Sequence, residues 1–141
     1  MDILLVEDNP DHAELTRQVL DEGQVANRVY WVKDGREALD YLFRIGKYAS
    51  AARPGLILLD INLPKVGGID VLKAVKQDED LRMIPVIMLT TSDREEEIVK
   101  SYSGGANSYI TKPVKFQDFM EKVRALKFYW LLTNRGLKTD E

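Results

Sequence analysis

Residues 56–64 read Leu56-Ile57-Leu58-Leu59-Asp60-Ile61-Asn62-Leu63-Pro64. Four consecutive apolar residues without polar alternation describe a strand covered on both faces, as in the centre of a parallel sheet. An aspartate stands at its exit. Three other short apolar segments end in the same way. Asp2 to Val6 runs into Glu7-Asp8, Val86 to Leu89 into Thr90, and Ser108 to Ile110 into Thr111-Lys112-Pro113. Parallel strands bring their carboxyl ends to one edge of a sheet, and open α/β sheets bind ligands beyond that edge. The spacing therefore predicts that Glu7, Asp8, Asp60, Thr90 and Lys112 meet.

Helical segments separate these strands. Asp8 or Asn9 followed by Pro10 starts a first helix, which runs to about Glu22 with Leu15, Val19 and Leu20 inward and Gly23 ending it in the left-handed conformation. Val25 to Val32 reads as the second strand. Asp34-Gly35 makes a turn into a second helix with Ala38, Leu39, Leu42, Phe43 and Ile45 on its apolar face, closed near Gly46. After the loop 47–54 and the strand at 56–59, Gly67-Gly68 precedes a third helix that buries Ile69, Leu72 and Val75.

Pro85 opens the fourth strand, and Ser92 with Glu95 three residues on forms a capping box for a fourth helix stopped at Gly104-Gly105. A fifth helix runs from about Phe116 to Leu132, with Phe116, Met120, Val123 and Leu126 or the stem of Lys127 inward, and Asn134-Arg135-Gly136 unwinds it. Five strands alternating with five helices imply an α/β fold with a doubly wound parallel sheet. One domain over 1–141 is expected, with a short tail from about 133.

Composition narrows the function classes. The 141 residues suffice for one core, and 45% hydrophobic with 30% charged residues describe a soluble globular chain. No cysteine is present, which removes disulfides, zinc-thiolate and iron-sulfur sites and cysteine nucleophiles, and the single His12 removes a multi-histidine metal site. Strand-like sequence from Asp2 leaves no basic leader, and no apolar run reaches the roughly 20 residues of a membrane span. A cytoplasmic protein that does not use a membrane is expected. Net charge is −3, although 112–138 holds seven basic residues against two acidic ones. Without a recognition element that stretch reads as a solvated helix face, and no nucleic-acid partner is expected.

The constellation has a chemistry. Clustered carboxylates without a cation repel one another, whereas Mg2+ takes one or two carboxylates with waters and phosphate oxygens. Asp60 is the nucleophile candidate, able to form an acyl phosphate if the metal neutralises the oxygens of the transferring group. Asp8 is expected to be the direct metal ligand and Glu7 to hold a metal-bound water. The backbone carbonyl of Asn62 supplies a neutral oxygen. Lys112 is placed to act as the cation opposite the metal, and Thr90 as a hydroxyl donor.

Glu7-Asp8, Asp60-Ile61-Asn62-Leu63-Pro64, Leu89-Thr90 and Tyr109-Ile110-Thr111-Lys112-Pro113 together resemble the receiver domain of two-component response regulators, over essentially the whole chain. The resemblance implies the flavodoxin-like strand order 2-1-3-4-5. It also implies an Asp60 that takes phosphate from the phosphohistidine of a sensor histidine kinase, a switch made of Thr90 and Tyr109, and a cis Lys112-Pro113 bond. Tyr41-Leu42, Gly46-Lys47-Tyr48, Arg53-Pro54, the stretch 60–65 and Phe128-Tyr129-Trp130-Leu131 further resemble single-domain regulators paired with phytochrome-type kinases, bacteriophytochromes included. That resemblance implies a homodimer through helix four, strand five and helix five. Independently, three consecutive aromatics spaced 100° apart on a helix cannot all face one core, so Phe128, Tyr129 and Trp130 place at least one ring outside it, where an interface would bury it.

The length leaves no room for an ordinary output domain, so the signal is expected to leave by dimerisation or partner binding rather than by an enzymatic activity. A phosphorelay shuttle or phosphate sink would use the same pocket. An aspartate-nucleophile phosphatase would need a second acid two residues after the nucleophile, where Asn62 stands. Flavin binding would need a phosphate loop where Glu7-Asp8-Asn9-Pro10 stands.

Overall fold

The structure is a computed structural model that describes residues 2–23, 28–102 and 108–133, the side chains at 101–102 and 126–133 excepted. Its sheet has five parallel strands, β1 (Asp2–Val6), β2 (Arg28–Val32), β3 (Leu56–Asp60), β4 (Val86–Thr90) and β5 (Ser108–Thr111), in the order β2-β1-β3-β4-β5. Between and after them run α1 (Pro10–Gly23), α2 (Gly35–Leu42), α3 (Gly68–Gln77), α4 (Asp93–Tyr102) and α5 (Phe116–Thr133). The doubly wound α/β architecture and its strand order are as expected. Among the described residues, no helix is long and apolar enough to cross a membrane.

Strand alternation builds the two layers. Leu4, Val6, Ile57, Leu59 and Met88 face one core with α2, α3 and Val99 of α4. Ile3, Leu5, Leu58, Ile87 and Leu89 face the other with α1 and α5. All five residues of β3 and of β4 are buried, which is why their sequences carry no polar alternation.

The helix ends are set by specific side chains. Asn9 caps α1, its Oδ1 accepting from the backbone N–H of Asp11 at 2.9 Å and of His12 at 3.2 Å. Asp34 is the N-cap of α2 rather than only a turn residue, its Oδ1 accepting from the N–H of Glu37 at 2.7 Å. Gly23 closes α1 without a left-handed φ. What its position requires is room, since a Cβ there would lie 3.1 Å from the Phe116 ring of α5.

Four expected helix faces are corrected. Leu15 is 53% exposed, and α1 turns Ala13 and Thr16 inward beside Leu20, which is buried as expected. The second helix stops at Leu42, and Arg44 takes a φ of 57°, so Phe43 and Ile45 leave the apolar stripe and are 41% and 50% exposed. On α5, Phe119 is fully buried and Val123 buried, while Phe116 and Met120 are half-buried. Burying a ring such as that of Phe119 contributes about 1.5–3 kcal/mol. Ile69 of α3 is likewise half-buried, beside buried Val71, Leu72 and Val75. The expected strand residues 25–27 and the stops at Gly104-Gly105 and Asn134-Arg135-Gly136 lie outside the described residues.

Candidate functional site

The exits of β1, β3, β4 and β5 meet at one edge of the sheet. The N–H of Glu7 donates to Val32 O at 3.1 Å, which extends the ladder by one residue past β1. Its carbonyl accepts from the indole N–H of Trp31 at 2.7 Å, so the acidic pair leaves the sheet from a backbone held on β2. Glu7 is wholly buried and Asp8 is exposed. Asp60, the last residue of β3, is 3% exposed. Its Oδ1 accepts from the backbone N–H of Asn62 at 3.0 Å. Behind it Gly68 opens α3 so close that a Cβ would stand 2.3 Å from the Asp60 carbonyl oxygen. Only glycine fits there, which ties the start of α3 to the backbone that carries Asp60.

Lys112 reaches in from the end of β5. Its N–H donates to Thr90 O at 2.7 Å, its Nζ lies 2.9 Å from both Glu7 Oε1 and Asp60 Oδ2, and its side chain is 10% exposed. The bond to Pro113 is cis. Burial pushes the Glu7 carboxyl up, against the bond from Lys112, and the charge of Asp60 adds to the rise. Burial alone would lower the Lys112 ammonium. Its bonds to Asp60 and Glu7 outweigh that and hold it above the usual lysine range. The two shifts have different origins, burial for Glu7 and the paired carboxylates for Lys112.

Glu7, Asp8 and Asp60 each offer a carboxylate oxygen within 4.8 Å of the other two. Three carboxylates against one ammonium leave the cluster short of positive charge, and an all-oxygen donor set suits a hard divalent cation. The residues present therefore fit such an ion. Asn62 lies in the loop beyond Asp60, where its carbonyl is the neutral ligand candidate.

Thr90 is fully buried with its hydroxyl turned towards β5, where it donates to Ile110 O at 3.5 Å, a long and weak bond. Tyr109 is half-buried against the core beneath α4, with the ammonium of Lys122 5.0 Å from its ring centre. The side chains of Phe128, Tyr129 and Trp130 lie outside the described residues.

Several site neighbours carry no signal in the sequence. The Trp31 contact depends on β2 lying beside β1. Glu95, legible only as a capping residue, bonds across the mouth of the site to Asn62 and Thr91. Glu96 of the same turn accepts from the hydroxyl of Thr111 at 2.7 Å. His12, to which the sequence gives no role, lies 3.4 Å from the Lys112 ammonium, on a groove of about 230 Å³ between α1 and the chain after β5. Leu15 lines that groove, which is where its exposed side chain goes.

Comparison with known proteins agrees with this geometry. Residues 3–124 match the response regulator receiver domain family. The probable methanogenesis regulatory protein FilR2 of Methanothrix harundinacea is 44% identical over 134 residues, covering 95% of this chain and 86% of that protein. Response regulator Rcp1 of Synechocystis is 40% identical over 131 residues, covering 93% and 89%. Among solved structures, the bacteriophytochrome response regulator AtBRR superposes with a TM-score of 0.82 at 47% identity, covering 89% of this chain and 91% of that one. The phosphorylated cyanobacterial phytochrome response regulator RcpA gives 0.74 at 43% identity, covering 94% of each. The Mn2+-bound form of Rcp1 gives 0.73 at 39% identity, covering 92% and 94%.

Proposed function

The chain belongs to the response regulator receiver domain family, and from that premise we propose that it is a phosphorylation-controlled switch whose Asp60 accepts a phosphoryl group from a phytochrome-type sensor histidine kinase. The observation that carries the reading is the convergence of Glu7, Asp8 and Asp60 within 4.8 Å, with the Lys112 ammonium 2.9 Å from Asp60. The likeness to the phytochrome response regulator RcpA and the bacteriophytochrome response regulator AtBRR supports the choice of kinase.

Glu7, Asp8, Asp60 and the Asn62 carbonyl would hold the cation, for which Mg2+ is the candidate and Mn2+, found on Rcp1, a substitute. When bound, it supplies neutralisation of charge on the transferring phosphoryl group. Asp60 contributes the nucleophilic oxygen. The P–N bond of the donor breaks as the P–O bond to Asp60 forms, and the donor imidazole leaves with the electron pair. The bond from the Asn62 N–H to Oδ1 fixes the rotation of the carboxylate for that attack. Lys112 shifts one of its hydrogen bonds from the carboxylate to a phosphoryl oxygen, where its charge offsets the added negative charge.

The adduct adds a charge near −2. It draws the Thr90 hydroxyl away from Ile110 O, a bond whose 3.5 Å length makes it easily given up. Tyr109 moves into the space released, and the α4, β5 and α5 face becomes the readout surface. The protein acts as a single receiver domain in the cytoplasm and signals by binding, in a homodimer through that face or with a partner. A purified phytochrome-type kinase carrying labelled phosphohistidine should pass label to the wild-type chain and not to Asp60→Asn. Equal labelling of the two chains would defeat the assignment.

A further inference from the structure

One carboxylate expected only to cap a helix holds three donors at the mouth of the site. Glu95 Oε1 accepts from the backbone N–H of Thr91 at 2.7 Å and from its hydroxyl at 3.2 Å, while Oε2 accepts from the side-chain amide of Asn62 at 2.5 Å. Thr91 directly follows Thr90 at the exit of β4, and Asn62 is the residue whose own N–H holds Asp60. Capping explains only part of this. Ser92 Oγ does accept from the N–H of Glu95 at 3.2 Å, but the Glu95 carboxylate reaches Thr91 and crosses to the loop after β3. A backbone N–H, a hydroxyl and an amide converging from two loops on one anion are donors of the kind that bind phosphate. Despite the opposing effect of burial, these bonds keep the Glu95 carboxyl below the usual glutamate range.

We propose that Glu95 is a placeholder anion: in the unphosphorylated protein it occupies donors that a phosphoryl group on Asp60 takes over, and its displacement frees the first turn of α4. This rests on the reading of Asp60 as phosphoacceptor and adds the residue that sets how readily it reacts. The incoming group carries a charge near −2 beside an existing carboxylate, and the two anions cannot share the same donors. Glu95 therefore opposes phosphorylation, and its departure transmits the event to α4. Glu96, bonded to Thr111 at 2.7 Å, belongs to the same turn, so movement of that turn also loosens its tie to β5.

The test uses the full chain with Mg2+ and acetyl phosphate, for which the acetyl C–O–P oxygen leaves as acetate while the Asp60 carboxylate forms the new P–O bond. Intact mass follows the adduct, and melting curves are recorded in parallel. Glu95→Ala should label about fivefold to thirtyfold faster than wild type, the range of one lost charge-assisted contact in the starting state. Glu95→Gln should fall between them, because its amide oxygen still accepts from Thr91 but carries no charge. A residue acting only as a helix cap would lower the melting temperature without speeding labelling. If wild type labels at Asp60 and neither variant is faster, the placeholder is overturned while the acceptor stands. A wild-type chain without label at Asp60 removes both.

Discussion

Lys112 is the residue on which the resting site depends, because it is the cation bonded to two buried carboxylates at 2.9 Å each. Removing one partner of a buried ionic cluster leaves the others uncompensated, at a cost of about 3–5 kcal/mol. Metal-free Lys112→Ala should therefore melt well below the wild type, and millimolar Mg2+ should recover part of the loss by restoring positive charge to the same carboxylates. A variant as stable as wild type without metal, or one that Mg2+ does not help, would show that the ammonium does not balance the cluster. At this scale the acidic pair, Asp60, Thr90 and Lys112 were legible, since each ends an apolar run. The contacts of Trp31 and Glu95 were not. They depend on which loops become neighbours, and nothing in a local pattern encodes a bond between residues 62 and 95.

At the scale of elements, all five strands and all five helices could be located from period and punctuation, while several helix faces were rotated in the reading. Phe43 and Ile45 continued the apolar stripe of α2 on paper, but the left-handed Arg44 ends the helix first. Phe116 and Phe119 lie three residues apart, and only packing against α1, where Gly23 leaves room for Phe116, decides which ring fills the core. At the end of α3, Lys76 is half-buried and donates to Arg82 O at 3.1 Å and Ile84 O at 3.0 Å, bracing the turn into β4.

Burial lowers the Lys76 ammonium from 10.5 to about 8. Between those two pH values the unfolded chain binds the proton and the folded chain does not, so folding stability rises with pH across the window. Urea unfolding from pH 7 to 10 should show this rise flattened in Lys76→Met, by on the order of 1 kcal/mol once the exposed part of the side chain is discounted. Parallel curves for the two proteins would contradict it.

For the whole molecule, the buried strands and alternating helices made a doubly wound sheet legible, whereas the order 2-1-3-4-5 came by resemblance, because no pairing preference is written into five similar apolar strands. The proposed homodimer belongs to this scale too. If the α4, β5 and α5 face and the aromatics 128–130 bury one another between two copies, sedimentation at tens of micromolar should show a dimer that Trp130→Glu converts to monomer. A monomeric wild type, with and without an acyl-phosphate mimic, would sink that idea.

The proposed metal site, the placeholder and the readout face all serve one event, the conversion of the Asp60 carboxylate to an acyl phosphate. Borohydride reduces an aspartyl phosphate to homoserine, so reduction after phosphotransfer, followed by peptide mass analysis, reads that bond directly. Homoserine should be found at position 60 and depend on Mg2+. A labelled protein with unmodified aspartate at 60, or homoserine at another position, would contradict the mechanism.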